Sequence, residues 1–153
     1  MGKLLDENLI ILDADVSTAE DAIRLMASRL QELGYVNEGY AEMVIAREKI
    51  FPTGLPGKKM SIAIPHTDPT LVNRPAIGVI VPRTTVEFSM MGEPETKLDC
   101  SLLFPLVIKN ADQQISLLKA MMGVIQDSDL LEKIRSSKSK KEIIEALHAL
   151  DEA

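Results

Sequence analysis

The nine residues at positions 100–108, CSLLFPLVI, carry no charge and a single hydroxyl. Such a run is not accommodated at a wet surface. Its aliphatic content predicts a β-strand covered on both faces, so the fold needs a sheet with packing elements on either side. Other segments agree. Residues 76–81 are rich in β-branched side chains and end at Pro82, and residues 61–64 are short and apolar and stop at Pro65. Residues 85–89 read as a fourth strand, followed by a polar loop through Gly92 and Pro94, and residues 9–12 as a fifth.

Helical patterns alternate with these strands. Ser17 and Glu20 form a capping box that opens a helix with Ile23, Met26, Ala27, Leu30 and Leu33 on one stripe, and Gly34 is a natural terminator. A second helix is expected over residues 37–48, with Tyr40, Val44 and Met43 inward, before Pro52, Gly54, Pro56 and Gly57 force a loop. Asp112 reads as the cap of a helix whose stripe is Ile115, Leu118, Met122 and Ile125. A short helix follows Ser128. Ser139 and Glu142 form a second capping box, opening a last helix with Ile143, Ile144 and Leu147 inward. No repeat, linker or low-complexity tract interrupts this order. The expectation is an α/β fold (α+β in some schemes): one domain over residues 1–153, a mixed sheet of about five strands flanked by helices.

Composition excludes several roles. A chain of 153 residues can bury a core without disulfides or metals. That core must be aliphatic, since the sequence has no Trp, two Tyr and three Phe. The net charge of −6 argues against nucleic acid as a partner, and Lys138, Lys140 and Lys141 read as solvated surface. The one cysteine, Cys100, can form no internal disulfide, which agrees with a reducing cytoplasm. It reads as a small buried hydrophobe. With two distant histidines it makes no ligand cluster, so no metal is expected. MGKLLDENLI lacks the features of a signal peptide. The longest aliphatic stretch, residues 102–108, is broken by Pro105 and far short of a membrane span, so no membrane insertion is expected. No dinucleotide, Walker, H-E-x-x-H or G-x-S-x-G pattern occurs, and no cofactor is expected.

What chemistry there is converges on His66. Pro65 has no N–H and ends a strand, so the next side chain is presented at a strand's C-terminal end, where ligand sites gather in open α/β sheets. An imidazole there can act as base, metal ligand or nucleophile. It can equally be a strand-end histidine with a satisfied hydrogen bond. Arg47, near the end of the helix that runs into the same loop, suits a phosphoryl ligand better than a metal. It also suits an ordinary helix surface. His148 reads as a surface residue beside Asp151 and Glu152.

AREKIFPTGL at 46–55, followed by IAIPHT at 62–67, resembles a motif pair of the enzyme IIA components of the bacterial sugar phosphotransferase system, in the fructose/mannitol superfamily. The resemblance continues through IKNADQQISLLKAMMGVIQDSDLLEKI at 108–134 and covers nearly the whole chain. It implies the mannitol/fructose-type IIA fold. It also implies that His66 is the phosphorylated nucleophile, taking a phosphoryl group from the phosphocarrier protein HPr. His66 would then give that group to a cysteine of the cognate IIB component, which with the membrane component IIC couples sugar uptake to phosphorylation. Relatives suggest Nε2 as the phosphorylated nitrogen. Arg47 matches the family arginine beside the site. Where many relatives have a second histidine, this chain has Gln114, a neutral amide that can still donate a hydrogen bond. That departure resembles the galactitol-type branch.

Thr67 can offer its hydroxyl or N–H to the phosphoryl group, and Thr53 can shape the loop; both also suit ordinary turn chemistry. A site serving two successive protein partners needs apolar surface around it. Phe51, Leu55 and Pro56, with Met60, are candidates for that surface, or else they plug the core beneath the loop. A regulatory module phosphorylated at His66 is the alternative to a transport component. A third reading is a binding protein without phosphorylation.

Overall fold

The structure, a computed structural model, describes residues 4–148 and 150. The chain runs β1 (Leu5–Ala14), α1 (Ala19–Glu32), α2 (Tyr40–Ile50), β2 (Gly54–Leu55) and β3 (Ser61–Ala63). After a 3-10 turn (Pro69–Leu71) come β4 (Ala76–Pro82), β5 (Val86–Met90), β6 (Glu93–Leu103) and β7 (Leu106–Val107). Three helices follow, α3 (Ala111–Gln126), α4 (Ser128–Ser136) and α5 (Lys140–Ala146). The strands form one mixed sheet in the order β1-β4-β6-β3-β2-β5, in which β5 also pairs with β6 and β7 with β4.

Both faces of the sheet are covered, as the aliphatic runs require. In β4, Ile77, Val79 and Val81 point into a core with Leu117 and Met121 of α3, Ile134 of α4 and Ile143 of α5. Ala76 and Ile80 point the other way, toward Met26 and Leu30 of α1 and Tyr40 and Val44 of α2. This is the period of two expected of a strand. Gly78 sits where α1 crosses: a Cβ there would lie 2.7 Å from Met26 Cε.

The run at 100–108 is buried as expected but is not one strand. β6 ends at Leu103, the chain bends through Phe104 and Pro105, and β7 begins at Leu106. The missing N–H of Pro105 breaks the ladder, while its carbonyl still accepts from Gly78 N–H at 2.8 Å. The stretch after β5 is not a polar loop. Gly92, at φ +80°, makes a tight turn, and 93–98 form the solvated first half of β6. Its side chains lack alternation because little covers them. The sheet has seven strands rather than about five, the difference being the two-residue strands β2 and β7.

Helix ends follow the same chemistry with shifted register. Thr18, not Ser17, caps α1, its Oγ1 accepting from Asp21 N–H at 3.1 Å, and Glu20 pairs with Arg24 instead. Leu33, expected on the inward stripe, lies past the end of α1 and is 37% exposed. Gly34, at φ +83°, ends the segment as its sequence suggests. The second helix starts later than expected, at Tyr40, after Gly39 in the left-handed region, and leaves Met43 half-buried. Asn110, not Asp112, caps α3, accepting from Gln113 N–H at 2.9 Å. The buried stripe of α3 is Leu117, Met121, Val124 and Ile125; Ile115 and Met122 are exposed. Ser139 caps α5, accepting from Glu142 N–H as its box predicts.

Candidate functional site

Among the described residues, the buried polar side chains are Thr53, His66 and Thr67. All three lie where β2 begins and β3 ends. β2 pairs antiparallel with β3, placing Gly54 opposite Ala63. One step further, Ile64 N–H donates to Thr53 O at 3.3 Å. Pro65 then stops the strand, but its carbonyl accepts from Leu106 N–H at 3.0 Å, so β7 holds the bend. His66 follows with its ring folded back, and Nδ1 lies 2.7 Å from Ile64 O. A carbonyl oxygen can only accept, so Nδ1 carries the proton and Nε2 keeps its lone pair.

Burial pushes the His66 pKa below its ordinary value; the bond to Ile64 opposes this, and the positive charge of Arg47 adds to it. At pH 7 most rings are therefore neutral. Arg47 lies half-buried in the last turn of α2. Its guanidinium sits over the Phe51 ring, 4.9 Å from the centroid. The same cation also helps hold the Asp68 carboxyl below its usual range, after the larger effect of Asp68's bonds to Thr70. Arg47 thus acts electrostatically on both His66 and Asp68.

Glu48 is a member of this site that sequence reasoning did not single out. Its Oε2 accepts from Thr53 N–H at 2.7 Å and its Oε1 from Thr53 Oγ1 at 2.8 Å. Burial pushes the Glu48 carboxyl up and the Thr53 bonds partly offset this. One sequence signal was available: an acid in the last turn of a helix opposes the helix dipole and calls for a local partner.

The structure divides the loop residues. Phe51 is 58% exposed, Pro56 is exposed, and Leu55 is buried in the core with Ile62 and Ile64. Met60 packs half-buried against the same core. Leu55 is therefore a core plug, whereas Phe51 faces solvent at the mouth of the site. Gln114 is half-buried in the first turn of α3, its N–H donating to Asn110 O at 3.1 Å. Among the described residues no hydrogen bond ties its side chain to His66 or Arg47. His148 is exposed, and Asp151 and Glu152 lie outside the described residues. Cys100 is buried, and burial pushes its thiol up to about 12. Among the described residues no three potential ligands gather as around a metal ion, and no helix is long and apolar enough to cross a membrane.

Residues 3–149 match the family model described as phosphoenolpyruvate-dependent sugar phosphotransferase system, EIIA 2. The chain is similar to a galactitol-specific EIIA component of Escherichia coli K12. They are 32% identical over 99 residues, which span 65% of this chain and 65% of that protein's length. Its fold is that of the nitrogen regulatory protein IIA-Ntr from Neisseria meningitidis, with a TM-score of 0.78 and 25% identity over 94% of this chain and 96% of that one. The E. coli mannitol IIA, solved in complex with phosphorylated mannitol IIB, superposes with a TM-score of 0.76 at 23% identity, covering 95% of this chain and 99% of that one.

Proposed function

The chain belongs to the EIIA 2 family of the phosphoenolpyruvate-dependent sugar phosphotransferase system, and from that premise we propose that it is a phosphotransferase whose carrier atom is His66 Nε2. The observation that carries this reading is the 2.7 Å contact of Nδ1 with Ile64 O, which leaves Nε2 unprotonated on a neutral ring. The Nε2 lone pair attacks phosphorus as the bond from phosphorus to the donor nitrogen breaks, and that nitrogen keeps the electron pair. A cysteine thiolate of the acceptor then attacks, the P–N bond breaks, and its electrons return to Nε2. Such transfers need alignment and charge stabilisation more than covalent assistance. Arg47 supplies the charge, and it is worth more in a site where His66 is only 6% exposed than in open water. Thr67, also buried, and Gln114 offer neutral donors.

The donor in this reading is the phosphocarrier HPr and the acceptor the cognate IIB component, which passes the group to sugar at the membrane component IIC. The mannitol IIA fold, solved with phosphorylated IIB, supports the second step. Likeness to the galactitol-specific component supports galactitol as the sugar. The lone buried cysteine supports a cytoplasmic protein, and residues 1–153 act as one domain. The resemblance in fold to IIA-Ntr favours, as a second reading, a regulatory partner in place of transport.

Incubation with phosphoenolpyruvate, enzyme I and HPr should give one acid-labile phosphoryl group per chain. His66→Ala should abolish it and His148→Ala should not; labelling that survives His66→Ala overturns the assignment. Onward transfer to a galactitol IIB separates transport from regulation.

A further inference from the structure

We infer that Glu48 is a positioning residue for His66, acting through Thr53 and the main chain of Ile64; the inference rests on the carrier reading of His66. Four hydrogen bonds form a continuous line. Glu48 accepts from both the N–H and the hydroxyl of Thr53, at 2.7 and 2.8 Å. Thr53 O accepts from Ile64 N–H at 3.3 Å. Ile64 O accepts from His66 Nδ1–H at 2.7 Å. Glu48 and His66 do not bond to each other, so any influence of one on the other passes through the two residues between.

The line joins two sequence segments that are otherwise separate. Arg47 and Glu48 are consecutive on α2, so their side chains leave the helix about 100° apart. Arg47 turns toward Phe51 and the His66 turn, and Glu48 toward the start of β2. Thr53 immediately precedes β2, whose two residues pair with β3. Its bond to Ile64 extends that ladder by one rung, and His66 hangs from the last rung. Fixing Thr53 therefore fixes the direction of the Ile64 carbonyl. That direction selects the ring tautomer, because Nδ1–H must be imposed: a free neutral imidazole in water prefers the proton on Nε2. A carboxylate near a helix C-terminus, partly stripped of water, is an expensive way to hold a threonine. The expense is explained if the threonine sets the nucleophile.

The test reads the tautomer directly, by long-range 1H–15N correlation of the His66 ring above its titration. The unaltered chain should show Nδ1–H. Glu48→Ala, which leaves both Thr53 donors unmatched, should populate Nε2–H and slow phosphoryl acceptance from phospho-HPr by about tenfold, in line with the cost of misplacing a reacting group. Thr53→Val, which loses the hydroxyl alone, should show a smaller change of the same kind. Glu48→Gln keeps an acceptor for Thr53 N–H and a donor for Oγ1, and should retain the Nδ1–H form. A folded Glu48→Ala or Thr53→Val that keeps Nδ1–H throughout overturns the inference, as does a tautomer shift without loss of rate. If Glu48→Ala does not fold, Thr53→Val decides. If the unaltered chain takes no phosphoryl group on His66, the carrier reading fails separately, and the tautomer alone then decides the line from Glu48.

Discussion

In the proposed carrier role, His66 attacks phosphorus only while Nε2 has a lone pair, so the expected rate follows the neutral fraction of the ring. Burial, and then the Arg47 cation, hold its pKa below 6.5, with the Ile64 bond pulling the other way. At pH 6.5 more than half of the rings are therefore neutral. We expect the rate of phosphoryl acceptance to keep more than half of its pH 8 value at pH 6.5 and to fall further beneath it. An NMR titration of the ring with a midpoint above 6.5 would refute this. The folded ring holds its proton less tightly than the unfolded one, so unfolding takes up a proton in that window. His66 consequently lowers stability as pH falls from about 6.5 through its folded pKa. In that proposed role Arg47 enters twice, through its charge on the resting ring and through its charge on the incoming phosphoryl group. Arg47→Ala should move the His66 titration upward and slow acceptance by about a hundredfold, the usual order for losing one preorganised donor. A titration that stays in place would show the guanidinium too remote to matter.

β2 has two residues, yet it joins the sheet's end by pairing antiparallel with β3 and parallel with β5. Gly54 permits this because a Cβ there would lie 2.6 Å from the backbone oxygen of Ser89. Gly54→Ala should push β2 from β5, costing about 2 kcal/mol and lowering Tm by roughly 4–8 °C. Gly123 of α3 is the opposite case, since nothing lies within 4 Å of its added Cβ. Gly123→Ala should raise stability by about 0.5–1 kcal/mol through helix propensity and the unfolded chain. Thermal melts of the two variants should move in opposite directions, and a loss in both would refute the second. The element types were legible in the sequence because capping residues, prolines and apolar periods agreed on them. β2 was not, since its flanking prolines and glycines look like a loop until β3 and β5 are placed beside it. The inward face of α3 was ambiguous for a different reason. Leu117 and Leu118, Met121 and Met122, Val124 and Ile125 are adjacent apolar pairs, so two stripes fit the same helical period. Packing on the sheet chose Leu117 and Met121, leaving Ile115 65% and Met122 45% exposed.

The sheet is held together by β6, which pairs with β5 along its first half and lies between β3 and β4 along its second. A register shift between the pairs Ser61–Cys100 and Ile62–Leu102 puts Cys100 in the same core as Leu103, against α1 and α2. That bulge is invisible in the sequence, as is the junction it creates, because both depend on strands distant along the chain. The motif points to His66 and Arg47 as candidates, but the line from Glu48 has no counterpart in it, for it exists only once β2 lies against β3. The same junction supplies a probe of how firmly the proposed nucleophile is held. Cys100 is fully buried, opposite both Ser61 of β3 and Val86 of β5. Its thiol is pushed up to about 12 by burial and by the Glu48 and Asp99 charges. Thiolate is the reactive form, so a disulfide reagent must wait until the sheet opens. We expect native labelling to be at least about a thousandfold slower than in urea-unfolded chain, with a urea dependence equal to that of global unfolding. Labelling that is fast, or insensitive to urea, would mean that β3 and β6 part on their own. The carbonyl that fixes the His66 tautomer would then be held only part of the time, and the phosphoryl transfer rate should fall in proportion to that opening.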